Sequence, residues 1–174
     1  MLRFDRVKDE RLRRFCAYWL RARGARVMPS REQIDPVDIS FVLAHVWLYD
    51  LVPPNRFRCR LAGEDVARLF RPSPRGRFLD EIFSADHGAE VTSRFMNMVE
   101  RRQGTHTVGP CYLSGERQVF GERITLPLST DGTTVDALIG ATIYDLSVAE
   151  SSATFLREDH EISYIDVSAP SRDV

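Results

Sequence analysis

The sequence predicts an α+β fold, and the order of its hydrophobic patterns is the main reason. Two strand-like runs precede a helical middle segment, and three more follow it. A helix with one apolar stripe comes before all of them, and two helix-start signals overlap within residues 28–39. At 174 residues the chain is long enough to bury a sizeable core, so we expect one main domain.

The composition is that of an ordinary globular protein. Hydrophobic residues make up 43% and charged residues 28%, and the formal net charge is −1, so we expect no nucleic-acid partner. The longest apolar run, residues 40–49, is too short to cross a bilayer, and the N-terminus lacks the apolar stretch of a signal peptide. Three widely spaced cysteines and four scattered histidines predict no metal site and favour a reducing compartment. We therefore expect a cytoplasmic protein without membrane contact.

Residues 8–23 have the spacing of an amphipathic helix, and Gly24 suits the position that ends it. Such a stripe either pairs with another protein or covers the domain's own sheet, and the sequence leaves both open. We expect a protein partner or, more simply, a homodimer. The interface candidates are the four residues of the apolar stripe: Leu12, Phe15, Cys16 and Trp19.

The segment before the first strand carries both helix-start signals. Ser30 and Gln33 have the spacing of a capping box. Asp35 offers an N-cap oxygen, with Pro36 at the first helical position. We expect a short helix after Pro36 and a structural clasp in which Arg31 pairs with a nearby acid.

The first two strands are predicted to form a hairpin. Val46–Val52 reads as a buried strand, and a Pro-Pro-Asn turn leads into the alternating strand Arg56–Ala62. The alternation assigns Phe57, Cys59 and Leu61 to one face and the arginines between them to the other.

Helical segments fill the middle of the chain, separated by a loop with two prolines and a glycine. They are predicted at Glu64–Phe70, at Leu79–Phe83, and from Ser84 or Asp86 to about Arg102.

The last third of the chain is rich in strand patterns. The strands are predicted at Thr105–Leu113, Gln118–Ser129 and Thr134–Leu146, the last two joined by an Asp-Gly turn. The final strand is nearly all apolar and is expected near the centre of the sheet. Ile162–Val167 is a strand-like patch in the polar tail, either an added edge or an arm reaching a partner. We therefore divide the chain into an N-terminal helix (1–26), a central domain (27–146) and a tail (147–174).

Three motifs occur in order in the first half of the chain. They read PSR-x-x-IDP-x-DI at residues 29–39, F-R-x-R-L-x-G at 57–63 and Gly-Arg at 76–77. In these motifs the chain resembles the single-domain bacterial PAS proteins over roughly residues 10–146. The resemblance implies a five-stranded antiparallel sheet with helices over one face. It also implies sensing or signalling rather than catalysis, so we expect no enzyme and no catalytic residues, and it leaves any cofactor unknown.

A PAS-like fold implies a possible small-molecule pocket between the inner face of the sheet and the helices. Arg58, Arg60 and Arg123 would bind an anionic group if they faced inward, but strand alternation favours surface pairing for the first two. LOV-type flavin chemistry needs a cysteine in a helix, and Cys59 lies in a predicted strand. The predicted pocket wall consists of Tyr49, Phe57, Cys59, Phe70, Phe78, Phe83, Phe95, Met98, Tyr112, Ile124, Ile139 and Ile143.

Two alternatives stay open. One is a ligand-free interaction module, in which side chains pack the cavity shut. The other is a small cone-shaped α+β isomerase or cyclase, which needs an inward pair of titratable residues with perturbed pKa values. Tyr49-Asp50 and Tyr144-Asp145 are the neighbours to test for that role.

Asp35→Ala is expected to lower the free energy of unfolding by about 1 kcal/mol, the usual cost of losing an N-cap side chain. Thermal or chemical denaturation measures the change. An unchanged melting temperature would count against the clasp.

Overall fold

The computed structural model describes residues 4–114, 117–144 and 161–167, with side chains described outside 110–120 and 161. The chain forms four α-helices and six strands in these residues. In chain order they are α1 (Glu10–Arg23), β1 (Val46–Val52), β2 (Arg56–Ala62), α2 (Glu64–Ala67), α3 (Leu79–Ile82), α4 (Ala85–Arg101), β3 (Gln103–Ser114), β4 (Arg117–Leu128), β5 (Ala137–Tyr144) and β6 (Glu161–Asp166).

The strands form one antiparallel sheet with the order β2-β1-β5-β4-β3-β6. The sheet therefore has six strands rather than the predicted five. The sixth strand is the strand-like patch of the tail, which pairs with β3 as an added edge. The apolar strand β5 lies between β1 and β4, as predicted, and contributes fully buried side chains such as Leu138 and Ala141.

Helices cover both faces of the sheet. On the face that we call the front face, α4 lies against β1 and β2: the Phe95 ring stacks on Trp47 at 5.8 Å and meets Phe57 edge-on at 5.2 Å. The opposite, back face is covered by α1, whose Trp19 donates its indole N–H to the carbonyl oxygen of Pro127 at 3.1 Å. The prediction of helices on one face thus holds for α4, and α1 adds a second layer.

The apolar stripe of α1 covers the protein's own sheet. Leu12, Phe15, Cys16 and Trp19 are each 0–1% exposed in the single chain. The assignment of these four side chains as an intermolecular interface is therefore wrong for the folded chain, because their apolar surface is already buried against the back face. Of the two roles left open by the sequence, the structure favours the intramolecular one.

A buried glutamate on β4 holds the entry to α1. The Glu122 carboxylate accepts the backbone N–H groups of Lys8 and Asp9, both at 2.7 Å, and lies 2.7 Å from Nε2 of His106. Asp9 then caps the helix by accepting the N–H groups of Arg11 and Leu12. The hydrogen bond from the Arg11 side chain lowers the pKa of Asp9. Two chain segments more than 110 residues apart are joined through one carboxylate.

The segment between α1 and β1 forms the predicted clasp without the predicted helix. Gln33 accepts the N–H of Ser30 at 2.8 Å, which is the amide half of a capping box. Asp35 accepts the N–H of Val37, but the chain then makes consecutive turns instead of an α-helix. Arg31 pairs with Asp50 at 3.2 Å, as the sequence predicted for an unnamed acid.

A β-bulge changes the face of one predicted residue. Tyr49 of β1 pairs with Cys59, but Leu48 pairs with Leu61, so the register shifts by one residue between them. Leu61 therefore shares the back face with Leu48 instead of following Phe57 and Cys59 on the front face. Simple alternation failed here because a bulge adds one residue to a single strand.

Helices α2 and α4, in the middle of the chain, begin where the sequence predicted them. Helix α2 begins at Glu64 directly after Gly63, where a Cβ atom would come within 2.3 Å of the Leu43 carbonyl oxygen. It ends at Ala67, before the predicted Phe70, and the N-cap of α4 is Ser84, one of the two predicted residues.

Glu122→Ala is expected to lower the free energy of unfolding by about 2–4 kcal/mol, because it leaves the N–H groups of Lys8 and Asp9 and the His106 ring without their buried acceptor. Chemical denaturation measures the loss. Glu100→Ala, at an exposed position of α4, is the matched control and should change stability by less than about 0.5 kcal/mol. Equal effects of the two substitutions would contradict a structural role for Glu122.

Candidate functional site

A cavity of about 90 Å³ lies between the front face of the sheet and the helical layer. Side chains from α2, α3, α4 and the loops beside them, most of them apolar, form its roof, and residues of β1, β3, β4 and β5 form its floor. The lining residues are Trp47, Tyr49, Val66, Leu69, Phe70, Leu79, Phe83, His87, Val91, Arg94, Phe95, Met98, Thr105, Thr107, Arg123, Thr125, Thr142 and Tyr144.

Five of the predicted pocket residues line this cavity, and they come from different parts of the chain: Tyr49, Phe70, Phe83, Phe95 and Met98. The rings of Tyr49 and Phe95 meet edge-on at 5.7 Å, and those of Phe70 and Phe83 do so at 5.8 Å. The first contact joins the floor to the roof, and the second lies within the roof.

Three predicted pocket residues lie on the wrong face. Ile124 pairs with His106 and Ala141, and Ile139 pairs with Leu48, all on the back face. Ile143 follows from the same alternation, opposite Glu122. The prediction failed because the back face is as deeply buried as the front: Ile124 is 0% and Ile139 is 1% exposed. Apolar character therefore could not distinguish the buried back face of the sheet from a cavity wall.

The other predicted wall residues lie beside the cavity or outside the described side chains. Phe57 and Cys59 are buried on the front face next to Phe95 and Tyr49 but do not line the space. Phe78 lies under the guanidinium group of Arg56, 3.7 Å from the ring centre. Tyr112 falls outside the side chains that the structure describes.

The floor of the cavity is polar where β3, β4 and β5 form it, and β1 adds the aromatic side chains of Trp47 and Tyr49. Pairing in register aligns Thr107, Arg123 and Thr142 across β3, β4 and β5, and Thr105 lies opposite Thr125 in the next row. All four threonines are at most 5% exposed. A mixed polar and apolar lining of this kind is typical of ligand sites.

One hydroxyl group fixes the orientation of two side chains that line the cavity. The Thr142 hydroxyl oxygen accepts N–H bonds from Nε of Arg123 at 2.9 Å and from the Trp47 indole at 3.1 Å. A Cβ at Gly140 would come within 2.2 Å of the Trp47 ring, so this position must be glycine for the ring to lie flat on the sheet. Arg123 is thereby held at the cavity floor by a neutral partner.

The two arginines that line the cavity differ in whether a carboxylate pairs with them. Arg94 pairs with Glu90 at 2.8 Å, and His87 lies near the same carboxylate, 3.9 Å away. No carboxylate of the described residues pairs with Arg123. Arg58 and Arg60, in contrast, lie on the solvent side around Asp50, as predicted. Of the three arginines considered from the sequence, only Arg123 reaches the cavity.

Neither of the candidate enzyme pairs can be identified as an inward acid–base pair. Tyr49 faces the cavity, whereas Asp50 faces the opposite side and pairs with Arg60 at 2.7 Å. The Tyr144 hydroxyl donates to the carbonyl oxygen of Asp65, and its neighbour Asp145 falls outside the described residues. Burial raises the pKa of Tyr49, so its phenol stays protonated at neutral pH.

The described residues contain no cluster of His, Cys, Asp and Glu side chains with the geometry of a metal site. Within the same residues, every helix is too short or too polar to pass through a bilayer.

Sequence reasoning missed the polar half of the cavity. Trp47 and the threonines were not predicted, although Arg123 and Thr125 alternate with apolar residues along one predicted strand. That alternation marks one polar face, which usually faces water. Here the helices cover it, and only tertiary structure shows this.

A comparison with protein-family models identifies the family of this chain. A family model described as a PAS domain matches residues 7–143 of the chain. Among solved structures, the crystal structure of the Rhodobacter sphaeroides LOV protein aligns at 13% sequence identity with a TM-score of 0.38, over 64% of this chain and 68% of that chain. A comparison with curated proteins found no significant match.

Cys16 and Cys59 are expected to react slowly in the native protein. Burial raises the pKa of Cys59 to about 11 and raises that of Cys16 as well, so few thiolates exist at pH 8. In a Cys111→Ser background, the thiol reagent dithiobis(nitrobenzoate) should label the native protein at least about 100-fold more slowly than the protein unfolded in guanidinium. Rapid labelling that mass spectrometry maps to Cys59 would contradict this prediction.

Proposed function

Because the chain belongs to the PAS-domain family, whose members are sensory and signalling modules, we propose that it is a cytoplasmic, non-catalytic sensor that binds a small molecule in the front-face cavity. The observation that supports this proposal is the mixed lining, in which apolar and aromatic side chains face a polar patch of threonines and one arginine on β3, β4 and β5. A cavity that served only packing would be expected to be closed by apolar side chains.

The cavity volume limits the ligand. About 90 Å³ is less than the roughly 300 Å³ at the lower end of typical drug-sized sites. A flavin or haem does not fit this space without a large rearrangement of the roof. We therefore propose a ligand of only a few non-hydrogen atoms.

The proposed output is a change in association with a partner protein or a second copy of the chain. Strand β4 connects the cavity to the opposite face, since Arg123 lies on the cavity floor and the adjacent Glu122 holds the entry to α1. A ligand that shifts Arg123 therefore acts one residue away from the hydrogen bonds that fix α1 to the sheet.

The small volume also supports a second candidate, the ligand-free interaction module. In that case the cavity is a packing defect filled by a few water molecules, and the surface alone carries the function.

Native mass spectrometry distinguishes the two candidates. The sensor is expected to carry a small molecule that is lost on denaturation. Val91→Phe should reduce the bound fraction several-fold, because the added ring fills a cavity only large enough for a few atoms. Val37→Phe adds the same ring at a position that is 76% exposed and should leave the bound fraction unchanged. A bare native mass for the wild-type protein would favour the interaction module.

A further inference from the structure

We propose that the cavity binds a short-chain monocarboxylate, with its carboxylate on Arg123 and its alkyl chain against the aromatic roof. This inference rests on the proposed ligand-binding function and names the chemical class of the ligand.

The arginine has unused hydrogen-bonding capacity that points to an oxyanion. The Nε–H group of Arg123 donates to the Thr142 hydroxyl at 2.9 Å, and its two terminal nitrogens have no hydrogen-bond partner among the described residues. Parallel N–H groups of a guanidinium match the two oxygens of a carboxylate. The positive charge also has no partner carboxylate within the described chain, although Arg123 is only partly exposed. A bound anion would supply the negative charge that pairs with Arg123.

The hydroxyl groups of two buried threonines lie beside this arginine. Thr107 is directly opposite Arg123 on β3, and Thr125 lies two residues further along β4 on the same face. They are 5% and 2% exposed, and both line the cavity. Because both threonines line the cavity on the same face as Arg123, their hydroxyl groups lie where they can donate to an oxygen of the ligand.

The roof determines the rest of the ligand. Leu69, Phe70, Phe83, Val91 and Phe95 present apolar surface opposite the floor. The second arginine of the lining, Arg94, is neutralised by Glu90 at 2.8 Å, so the far side offers no free cation for a second carboxylate. One anionic end and a short apolar body therefore fit the site better than inorganic phosphate or a dicarboxylate.

The two tryptophans make this proposal testable by NMR. The Trp47 indole N–H binds Thr142 in the cavity, whereas the Trp19 indole N–H binds the Pro127 carbonyl oxygen under α1. A ¹⁵N-labelled sample gives one indole signal for each. Butyrate is expected to shift the Trp47 signal with saturation and to leave the Trp19 signal unchanged. Butyramide, its neutral isostere, should bind at least about tenfold more weakly, because it lacks the charge-assisted bonds.

Variants test the named groups. Arg123→Gln should weaken butyrate binding at least about tenfold, whereas Arg58→Gln removes an arginine from the solvent side of the sheet and should leave binding unchanged. An unchanged Trp19 signal verifies that each variant is folded. If Arg123→Gln does not fold, Thr125→Val and Thr107→Val replace it, each with an expected several-fold loss of affinity.

The outcomes separate this inference from the proposed function. Equal binding of butyramide, equal binding of phosphate, or full binding by Arg123→Gln would overturn the carboxylate assignment. If no probe shifts Trp47 but native mass spectrometry releases a copurified neutral molecule, the inference is wrong and the cavity remains a ligand site. If no probe shifts Trp47 and the native mass is bare, both the inference and the proposed function are wrong.

Discussion

The alternation of side chains along β4 is the constraint on which the rest of the structure depends. Glu122 and Arg123 are neighbours in the chain and point to opposite faces of the sheet. The glutamate accepts two backbone N–H groups and fixes the N-terminal helix, and the arginine gives the cavity its positive charge. A one-residue slip of β4 would exchange these groups and leave each buried on the wrong side.

This arrangement explains why both faces of the sheet are buried for different reasons. The back face meets the stripe of α1 in an apolar contact, with Trp19 and Phe15 at 0% exposure. The front face meets an aromatic layer across polar residues, and the two surfaces do not fill the space between them. Packing therefore closes the back face and leaves a cavity at the front face. The proposed sensor uses β4 as the connection between them.

The linear pattern predicted most of the elements because their signals are local. The stripe at Leu12, Phe15, Cys16 and Trp19 predicted α1, and the Pro-Pro turn predicted the β1–β2 hairpin. Five aromatic and sulfur-containing residues predicted for the pocket wall also line the cavity. The errors concern residues whose orientation or surroundings depend on strand register or on contacts with segments elsewhere in the chain. The bulge moved Leu61 to the back face, and Ile124 and Ile139 are buried on that same face by segments from the first part of the chain.

The sequence by itself determined the class of fold, the order of its elements and the family motifs, because periodicity, turn residues and helix caps act over a few neighbouring residues. Only the tertiary structure decided which face of the sheet α1 covers, that the tail adds a sixth strand, and that Arg123 reaches the cavity while Arg58 and Arg60 stay outside. These outcomes depend on strand register and on the packing of segments far apart in the chain. From the sequence alone, two sheet faces with similar alternation of polar and apolar residues cannot be distinguished, because the packing of other segments decides which face is covered.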